Sequence, residues 1–99
     1  MTPPEFEWDA TKARENFKKH GVAFKEALTV FADPLARIFE DPGHSEDEQR
    51  ELIIGHSAHQ RLLVVSFTER APRTRIIGAR EATAQERRDY EENNQDRTT

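Results

Sequence analysis

The sequence predicts an α+β fold: an antiparallel sheet of four to five strands with an N-terminal helical hairpin and a C-terminal helix, in the order β-α-α-β-β-β-β-α. The first observation behind this is a pair of β-rich runs, 62–67 and 74–79, that flank a polar turn. The second is that residues 10–31 carry apolar side chains at helical spacing between charged ones. A chain of 99 residues has room for one hydrophobic core, so we expect a single domain over 1–99 with a structured core of about 6–92.

The two β-rich runs differ in the pattern of their faces. In 62–67 both faces are mostly apolar, which is typical of a central strand. In 74–79 strict alternation places Arg75 with Ala79 on one face, and Ile76 with Arg80 on the other. The hairpin therefore carries arginines on a rigid element, where they can be aimed at a ligand.

The N-terminal third predicts a short strand followed by two helices. Residues 6–8 alternate apolar and polar side chains and predict a brief strand at the sheet edge. Asp9 stands at the N-cap of a helix over 10–20 that ends at Gly21, with Ala13 and Phe17 in its apolar stripe. A second apolar stripe predicts a helix over 24–31. The pair Asp33-Pro34 ends this helix. We expect both stripes to be buried against the sheet.

The remaining elements complete a meander and a final helix. Runs 35–40 and 50–56 read as strands, so residues 35–80 predict a four-stranded antiparallel meander with an exposed acidic loop in 40–51. Thr83 and Glu86 have the spacing of a capping box and start a helix that continues through Tyr90. Residues 93–99 lack an apolar anchor and are expected to fray.

Charge and composition narrow the function classes. The chain has a formal net charge of −4, yet residues 61–80 hold five arginines and one acid. The acidic total charge argues against a polyanion partner, whereas the positive local charge of residues 61–80 favours one.

There is no cysteine, and hence no disulfide or cysteine-based metal site. No apolar run is long enough to span a bilayer and the start does not resemble a signal peptide, so we expect a cytoplasmic location and no membrane partner.

The candidate chemistry is phosphate binding with proton transfer. The histidines do not have metal-ligand spacing, so no metal or cofactor is expected. Arg61, Arg75 and Arg80 flank strands; they either converge to hold a phosphate or pair with the acidic loop. Cleaving RNA without a metal needs a base, an acid and cations. The candidate catalytic residues are His20, Arg61, Arg75, Arg80 and Tyr90, and the candidate RNA-binding residues are Lys18, Lys19, Arg70 and Arg73.

For two aromatic candidates an ordinary packing role stands beside the functional one. Tyr90 has the spacing of a helix-packing aromatic, and Trp8 suits the core. A partly exposed Trp8 can instead stack on a base.

Several motifs at matching spacings resemble the BrnT family of toxins over about residues 6–92. They are residues 6–9 (FEWD), 16–24 (NFKKHGVAF), 27–34 (ALTVFADP) and 75–80 (RIIGAR), followed by Thr83, Glu86, Arg87 and Tyr90. One departure is Gly78, where the family commonly has serine; a small residue is retained without the hydroxyl.

The resemblance implies a RelE-like fold and a ribonuclease toxin of a type II toxin–antitoxin pair, which cleaves RNA and halts translation. It also implies a ribbon-helix-helix antitoxin (BrnA-like) that forms a hetero-oligomer with the toxin, and through which the complex binds and represses its operator DNA. The matching positions to inspect are Lys19, His20, Arg61, Arg75, Arg80 and Tyr90.

Two other functions compete with the nuclease. The first is a non-catalytic RelE-like binding module that acts as antitoxin partner and transcriptional co-repressor, which the net acidity favours. The second is a small DNA-binding regulator, which the mixed charges of the last helix disfavour.

Overall fold

The protein is described by a computed structural model, which covers residues 5–41 and 49–95. The predicted acidic loop therefore lies largely outside the described residues, as do residues 96–99 of the predicted tail. In chain order the elements are β1 (Glu5–Glu7), α1 (Ala10–His20), α2 (Phe24–Ala27), a 3₁₀ helix (Leu28–Ala32), β2 (Arg37–Glu40), β3 (Glu51–His56), β4 (Leu62–Arg70), β5 (Arg73–Glu81) and α3 (Ala84–Gln95).

The five strands form one mixed sheet in the order β1-β5-β4-β3-β2. Strands β2 to β5 form the predicted antiparallel meander. Strand β1 instead runs parallel to β5, with Glu7 beside Arg75, so the prediction of a wholly antiparallel sheet is wrong at this edge. A parallel pair needs a long connection, and the helices and the meander between β1 and β5 supply it.

Strand β4 provides the centre of two apolar clusters, one on each face of the sheet. Leu63, Val65 and Phe67 pack under α2 and the 3₁₀ helix in the larger cluster. Leu62 and Val64 belong to the smaller cluster, which α3 covers. Both faces of the strand are buried, as its sequence predicted. The fold therefore has three layers, with helices on both sides of the sheet.

A β-bulge in β5 changes which of its side chains share a face. Phe67 of β4 pairs with Ile76 and Ser66 pairs with Gly78, so Ile77 is an extra residue on β5. Ile76 and Ala79 consequently both lie in the larger cluster, where strict alternation had placed them on opposite faces. The predicted alternation along this strand is therefore wrong beyond the bulge.

Helix α1 is attached to the sheet by a polar side chain, not by its apolar stripe. Phe17, predicted to be buried, is 56% exposed, and α1 has no buried residue. The amide of Asn16 donates to the carbonyls of Val22 (3.0 Å) and Ala79 (2.9 Å) and accepts from the Ala79 backbone N–H (3.1 Å). These bonds fix α1 against β5. Asp9 and Gly21 cap the helix as predicted, Asp9 through the Lys12 N–H and Gly21 in the left-handed conformation.

The second predicted helix divides into an α-helical turn and a 3₁₀ helix. Its buried residues Phe24, Ala27 and Val30 enter the larger cluster. The Thr29 hydroxyl donates to the Glu26 carbonyl at 2.6 Å. Hydroxyl bonds of this kind compete with the regular α-helical ladder, which accounts for the tighter winding after Ala27.

Helix α3 begins with the predicted capping box. The Glu86 N–H donates to the Thr83 hydroxyl (3.1 Å), and the Thr83 N–H donates to the Glu86 carboxylate (2.8 Å). The same carboxylate accepts two bonds from Arg80, at 2.8 and 3.0 Å. The helix continues to Gln95 and so includes 93–95, the first residues of the segment that is expected to fray. Tyr90, which is 4% exposed, supplies the anchor that holds this part of the helix on the sheet.

Replacing Asn16 with alanine is expected to lower the free energy of unfolding by about 2–3 kcal/mol, because three partly buried hydrogen bonds are lost and Ala79 keeps unpaired backbone groups. Urea unfolding followed by circular dichroism measures the change. Asn93→Ala is the matched control, since its side chain makes one exposed bond, to the Asp89 carbonyl. Equal costs for the two variants would show that Asn16 does not anchor α1.

Glu86→Gln is expected to remove a pH-dependent part of the stability. The bonds from Arg80 lower the pKa of Glu86 to about 2, from its ordinary value of 4.5. A lowered folded-state pKa stabilises the fold above pH 4.5 and this contribution is lost as the pH falls through 2. Because the pair is partly exposed, we expect about 1–2 kcal/mol.

Urea midpoints between pH 7 and pH 2 test this expectation. The Gln variant should be less stable at pH 7 and should lose less stability on acidification than the parent. The same substitution at solvent-exposed Glu91 is the control. Parallel pH curves for the parent and the Glu86 variant would contradict the assignment.

Candidate functional site

Three side chains meet where β3 ends beneath α3, and we call Asp33, His56 and Tyr90 the His56 cluster. The Tyr90 hydroxyl donates to Asp33 Oδ2 at 2.9 Å. His56 Nδ1 lies 3.8 Å from the same oxygen, and its ring contacts the Tyr90 ring edge-on, with centroids 5.4 Å apart. The His56 side chain remains 44% exposed, while that of Asp33 is 10% exposed. The cluster thus presents a solvent-accessible imidazole held by a buried carboxylate and a buried ring.

Each member of the cluster is fixed by its own backbone element. Asp33 follows the 3₁₀ helix, and its carboxylate accepts from the backbone N–H groups of Leu35 (2.9 Å) and His56 (2.7 Å). A Cβ at Gly55 would lie 2.9 Å from Asp33 Oδ2, so glycine permits the close approach of this carboxylate to β3. Tyr90 lies one helical turn after Glu86, on the α3 face that meets the sheet.

The protonation states in the cluster follow from burial and hydrogen bonding. Burial and the bond to Asp33 raise the pKa of Tyr90 to about 12, which keeps the phenol a hydrogen-bond donor. Burial alone raises the pKa of Asp33, but the bonds from His56, Leu35 and Tyr90 outweigh it and the pKa is lowered. Asp33 is therefore a carboxylate at neutral pH.

Two of the predicted arginines lie on the same sheet face as the cluster. Arg80 is opposite Val64 on β4, and Arg75 is opposite Thr68, so both project to the face that α3 covers. The bond to Glu86 raises the pKa of Arg80, whose guanidinium is held at both ends of its fork. Arg75 donates to Glu7 through Nε at 3.0 Å, and its terminal nitrogens make no bond within the described part of the chain.

Arg61 and His20 lie apart from these arginines, where α1 ends beside the turn that follows β3. Arg61 bonds the buried Glu26 through two nitrogens, and these bonds lower the pKa of Glu26 and raise that of Arg61. Arg61 Nη2 also donates to the Gly21 carbonyl at 3.1 Å, immediately after His20. Arg61 Nη1 also lies 3.4 Å from the Glu81 carboxylate, and the Glu81 carbonyl accepts from Arg80 at 3.3 Å. The structure thus brings Arg61 close to the end of α1 and links it to Arg80 through Glu81, while no bond joins it to Arg75 within the described residues.

The predicted RNA-binding residues divide between the hairpin end and α1. Arg73 forms an ion pair with Glu5 at 3.3 Å, and Arg70 is exposed at the end of β4. Lys18 and Lys19 are exposed in the last turn of α1 and have no carboxylate partner among the described residues. The free cations therefore lie on α1, whereas the arginine at the start of β5 is paired.

The sequence analysis missed Asp33 and the role of His56. The spacing of the histidines gave no role to His56, and Asp33 was considered only as part of the pair that ends the second helix. Their meeting depends on contacts 23 residues apart for Asp33 with His56, and 57 residues apart for Asp33 with Tyr90. The Asp33-Pro34 motif was the one local signal for this carboxylate, because it placed Asp33 at a fixed helix end.

Gly78 leaves room for the serine that is common at this position in the BrnT pattern. A Cβ there would meet only Asn16 Oδ1, at 3.6 Å, which is an ordinary contact.

Among the described residues no group of three or more histidines and acids could hold a metal ion. No described helix is long and apolar enough to cross a membrane.

Comparisons with known proteins match this architecture to one family. The fold is similar to the crystal structure of the Brucella abortus ribonuclease toxin BrnT, with a TM-score of 0.62 and 23% sequence identity over 82% of this chain and 99% of that one. No curated protein matches the chain. Residues 8–86 match the family described as the ribonuclease toxin, BrnT, of type II toxin–antitoxin systems. The chain therefore belongs to the BrnT family of ribonuclease toxins.

Proposed function

We propose that this protein is a metal-independent endoribonuclease with a RelE-like fold, and that RNA is cleaved on the sheet face beneath α3. The observation that carries the proposal is the exposed imidazole of His56, held against Asp33 and Tyr90 on the same face as Arg75. The family description supports the reaction class. The cluster supplies the proton-transfer group that the reaction needs. Arg75 lies opposite Thr68, about 20 Å along β4 from Leu62, which is opposite His56, so we assign Arg75 to a phosphate further along the RNA strand than the scissile one.

The reaction requires two proton transfers and no metal. A base removes the proton of the 2′-hydroxyl, the 2′-oxygen attacks the phosphorus, and the bond from phosphorus to the 5′-oxygen breaks. An acid then gives a proton to that oxygen, which leaves a 2′,3′-cyclic phosphate. Histidine suits these transfers because it titrates near neutral pH. We assign one transfer to His56, with Asp33 facing Nδ1 and stabilising the imidazolium.

The arginines on this face receive different roles. Arg75 is our candidate ligand for a phosphate at the other end of β4 from His56, because its terminal nitrogens make no bond within the described residues. We assign Arg80 a positioning role, since its fork is occupied by Glu86 and holds the start of α3. Helix α3 in turn carries Tyr90 onto His56. We keep His20 and Arg61 as a second candidate phosphate-binding site at the end of α1, on which this mechanism does not depend.

The biological setting follows from the family and is part of the proposal. A type II toxin has a protein antitoxin as partner. We propose that this partner is a ribbon-helix-helix protein (BrnA-like), that the two form a hetero-oligomer which binds operator DNA through the antitoxin, and that the free toxin halts translation in the cytoplasm.

One observation favours the second candidate, a non-catalytic antitoxin partner and co-repressor. Arg61, Arg73, Arg75 and Arg80 each pair with a carboxylate, and the chain has a net charge of −4. Arginines neutralised in this way are typical of structural ion pairs. Assays of cleavage and of toxicity separate the two functions.

His56→Ala is expected to slow RNA cleavage by about 10²–10⁴-fold, which is the usual contribution of a general acid or base. The purified protein is assayed in EDTA from pH 5 to pH 9, and the variant should also lose one limb of the pH–rate profile. His59→Ala is the control, because His59 lies in the exposed turn outside the cluster. A His56 variant that cleaves at the parental rate, or a parent that EDTA inactivates, would overturn the proposed mechanism.

Expression of the parent protein is expected to arrest growth, and expression of His56→Ala is not. Co-expression of the protein encoded by the adjacent reading frame should restore growth and co-purify with both forms, since His56→Ala leaves the fold in place. Circular dichroism of the purified variant checks that the fold is intact. If the parent forms the complex but neither arrests growth nor cleaves RNA, the non-catalytic function is correct.

A further inference from the structure

A groove lies between α1 and α2 on the opposite face of the sheet from the His56 cluster. It has a volume of about 690 Å³ and combines aromatic with basic side chains; the lining residues used below are Trp8, Arg14, Phe17, Lys18 and Lys25. We name it the α1–α2 groove. Neither the apolar core nor the proposed cleavage chemistry uses it.

The aromatic side chains of the groove present ring surface to solvent. Phe17 is 56% exposed although it is the largest apolar residue on α1, because Asn16 takes the position that anchors the helix. Trp8 is partly exposed and packs edge-on against Phe24, with ring centroids 6.0 Å apart. Exposed rings on a rigid frame are the platform on which unpaired nucleotide bases stack.

The cations of the groove are free to bind a ligand. Lys18 and Lys25 have no carboxylate within 4 Å among the described residues, and Arg14 bonds only the Thr11 hydroxyl. Arg14 and Lys18 are one helical turn apart and so lie on the same face of α1. Residues 9–25 carry five cations and two acids, a local balance of +3 in a chain of net charge −4. The three arginines of β5 (Arg73, Arg75 and Arg80), by contrast, are paired with carboxylates.

We propose that the α1–α2 groove binds single-stranded RNA, with bases stacked on Phe17 and Trp8 and phosphates bound by Arg14, Lys18 and Lys25. Unpaired cations around exposed rings complement a strand that offers both phosphates and base faces. Trp8 directly follows Glu7, which holds Arg75, so the groove borders the sheet edge that leads to the proposed cleavage face. The groove thereby holds the RNA strand on one side of that edge while Arg75 meets it on the other.

The inference rests on the proposed ribonuclease function, so its test uses an RNA that cannot be cleaved. The probe is a fluorescein-labelled 12-nucleotide 2′-O-methyl oligouridylate, in which the attacking 2′-oxygen is blocked. Binding is followed by anisotropy and by the fluorescence of Trp8, the one tryptophan in the chain. Failure of the groove inference therefore appears as unchanged RNA binding in the groove variants, whereas failure of the proposed chemistry appears only in the cleavage assay.

The parent is expected to bind with quenching of Trp8. Lys18→Glu with Lys25→Glu should weaken binding at least about tenfold and lower the slope of log affinity against log salt by about 1.4, which is 0.7 for each lost phosphate contact. Phe17→Ala should weaken binding about fivefold or more with an unchanged salt slope, because it removes stacking and no charge.

The control combines Arg87→Glu with Arg88→Glu, which changes the net charge equally at exposed positions of α3 that do not line the groove. It should bind within about twofold of the parent. If the Lys18/Lys25 and Phe17 variants bind like the parent, the groove does not hold RNA. If they keep RNA binding but no longer co-purify with the adjacent-frame protein, the groove is a protein interface and the inference is wrong.

Discussion

The burial of β4 on both faces is the constraint on which the rest of the structure depends. A strand whose two faces are apolar is stable only when both sides of its sheet are covered. Leu63 and Val65 require the layer formed by α2 and the 3₁₀ helix, and Leu62 and Val64 require α3. This second requirement brings α3 across the ends of β3 and β4, and so brings Tyr90 onto His56. The proposed site is thus a consequence of covering the smaller cluster.

The sequence predicted the fold where local patterns decide it. Capping residues, helical stripes and alternating strands gave the helices and the antiparallel meander. The sequence did not predict the strand register where one extra residue changes it. Nothing in RIIGAR (75–80) indicates that Ile77 is an extra residue on β5, although it decides that Arg75 and Arg80 lie on the same face of the sheet. The parallel edge strand was missed for a related reason, since three residues that alternate do not specify which strand they join or in which direction.

The candidate site was less predictable than the fold, because its arginines pair with carboxylates that are distant in the sequence. Each candidate arginine of the sheet was recognised by its position beside a strand, but its partner comes from elsewhere in the chain, as Glu26 does for Arg61 and Glu7 for Arg75. The one short-range pair, Arg80 with Glu86, spans six residues, and Glu86 was predicted only as a capping residue. A pattern can show that a charge is present, but the fold decides whether that charge is free.

This distinction between paired and free charge separates the two basic surfaces of the molecule. A guanidinium in a carboxylate fork has already lost much of its water and gained its bonds, so a phosphate must displace an existing partner to bind it. The ammonium group of Lys18 has no carboxylate partner among the described residues, so a phosphate that binds it displaces only water. Binding of an RNA backbone is therefore expected to begin at the lysines of α1, while the paired arginines keep the sheet and α3 in the geometry that cleavage requires. A net acidic chain can then bind a polyanion, because among the described residues five glutamates (Glu5, Glu7, Glu26, Glu81 and Glu86) form ion pairs with arginines, whereas no lysine there forms one.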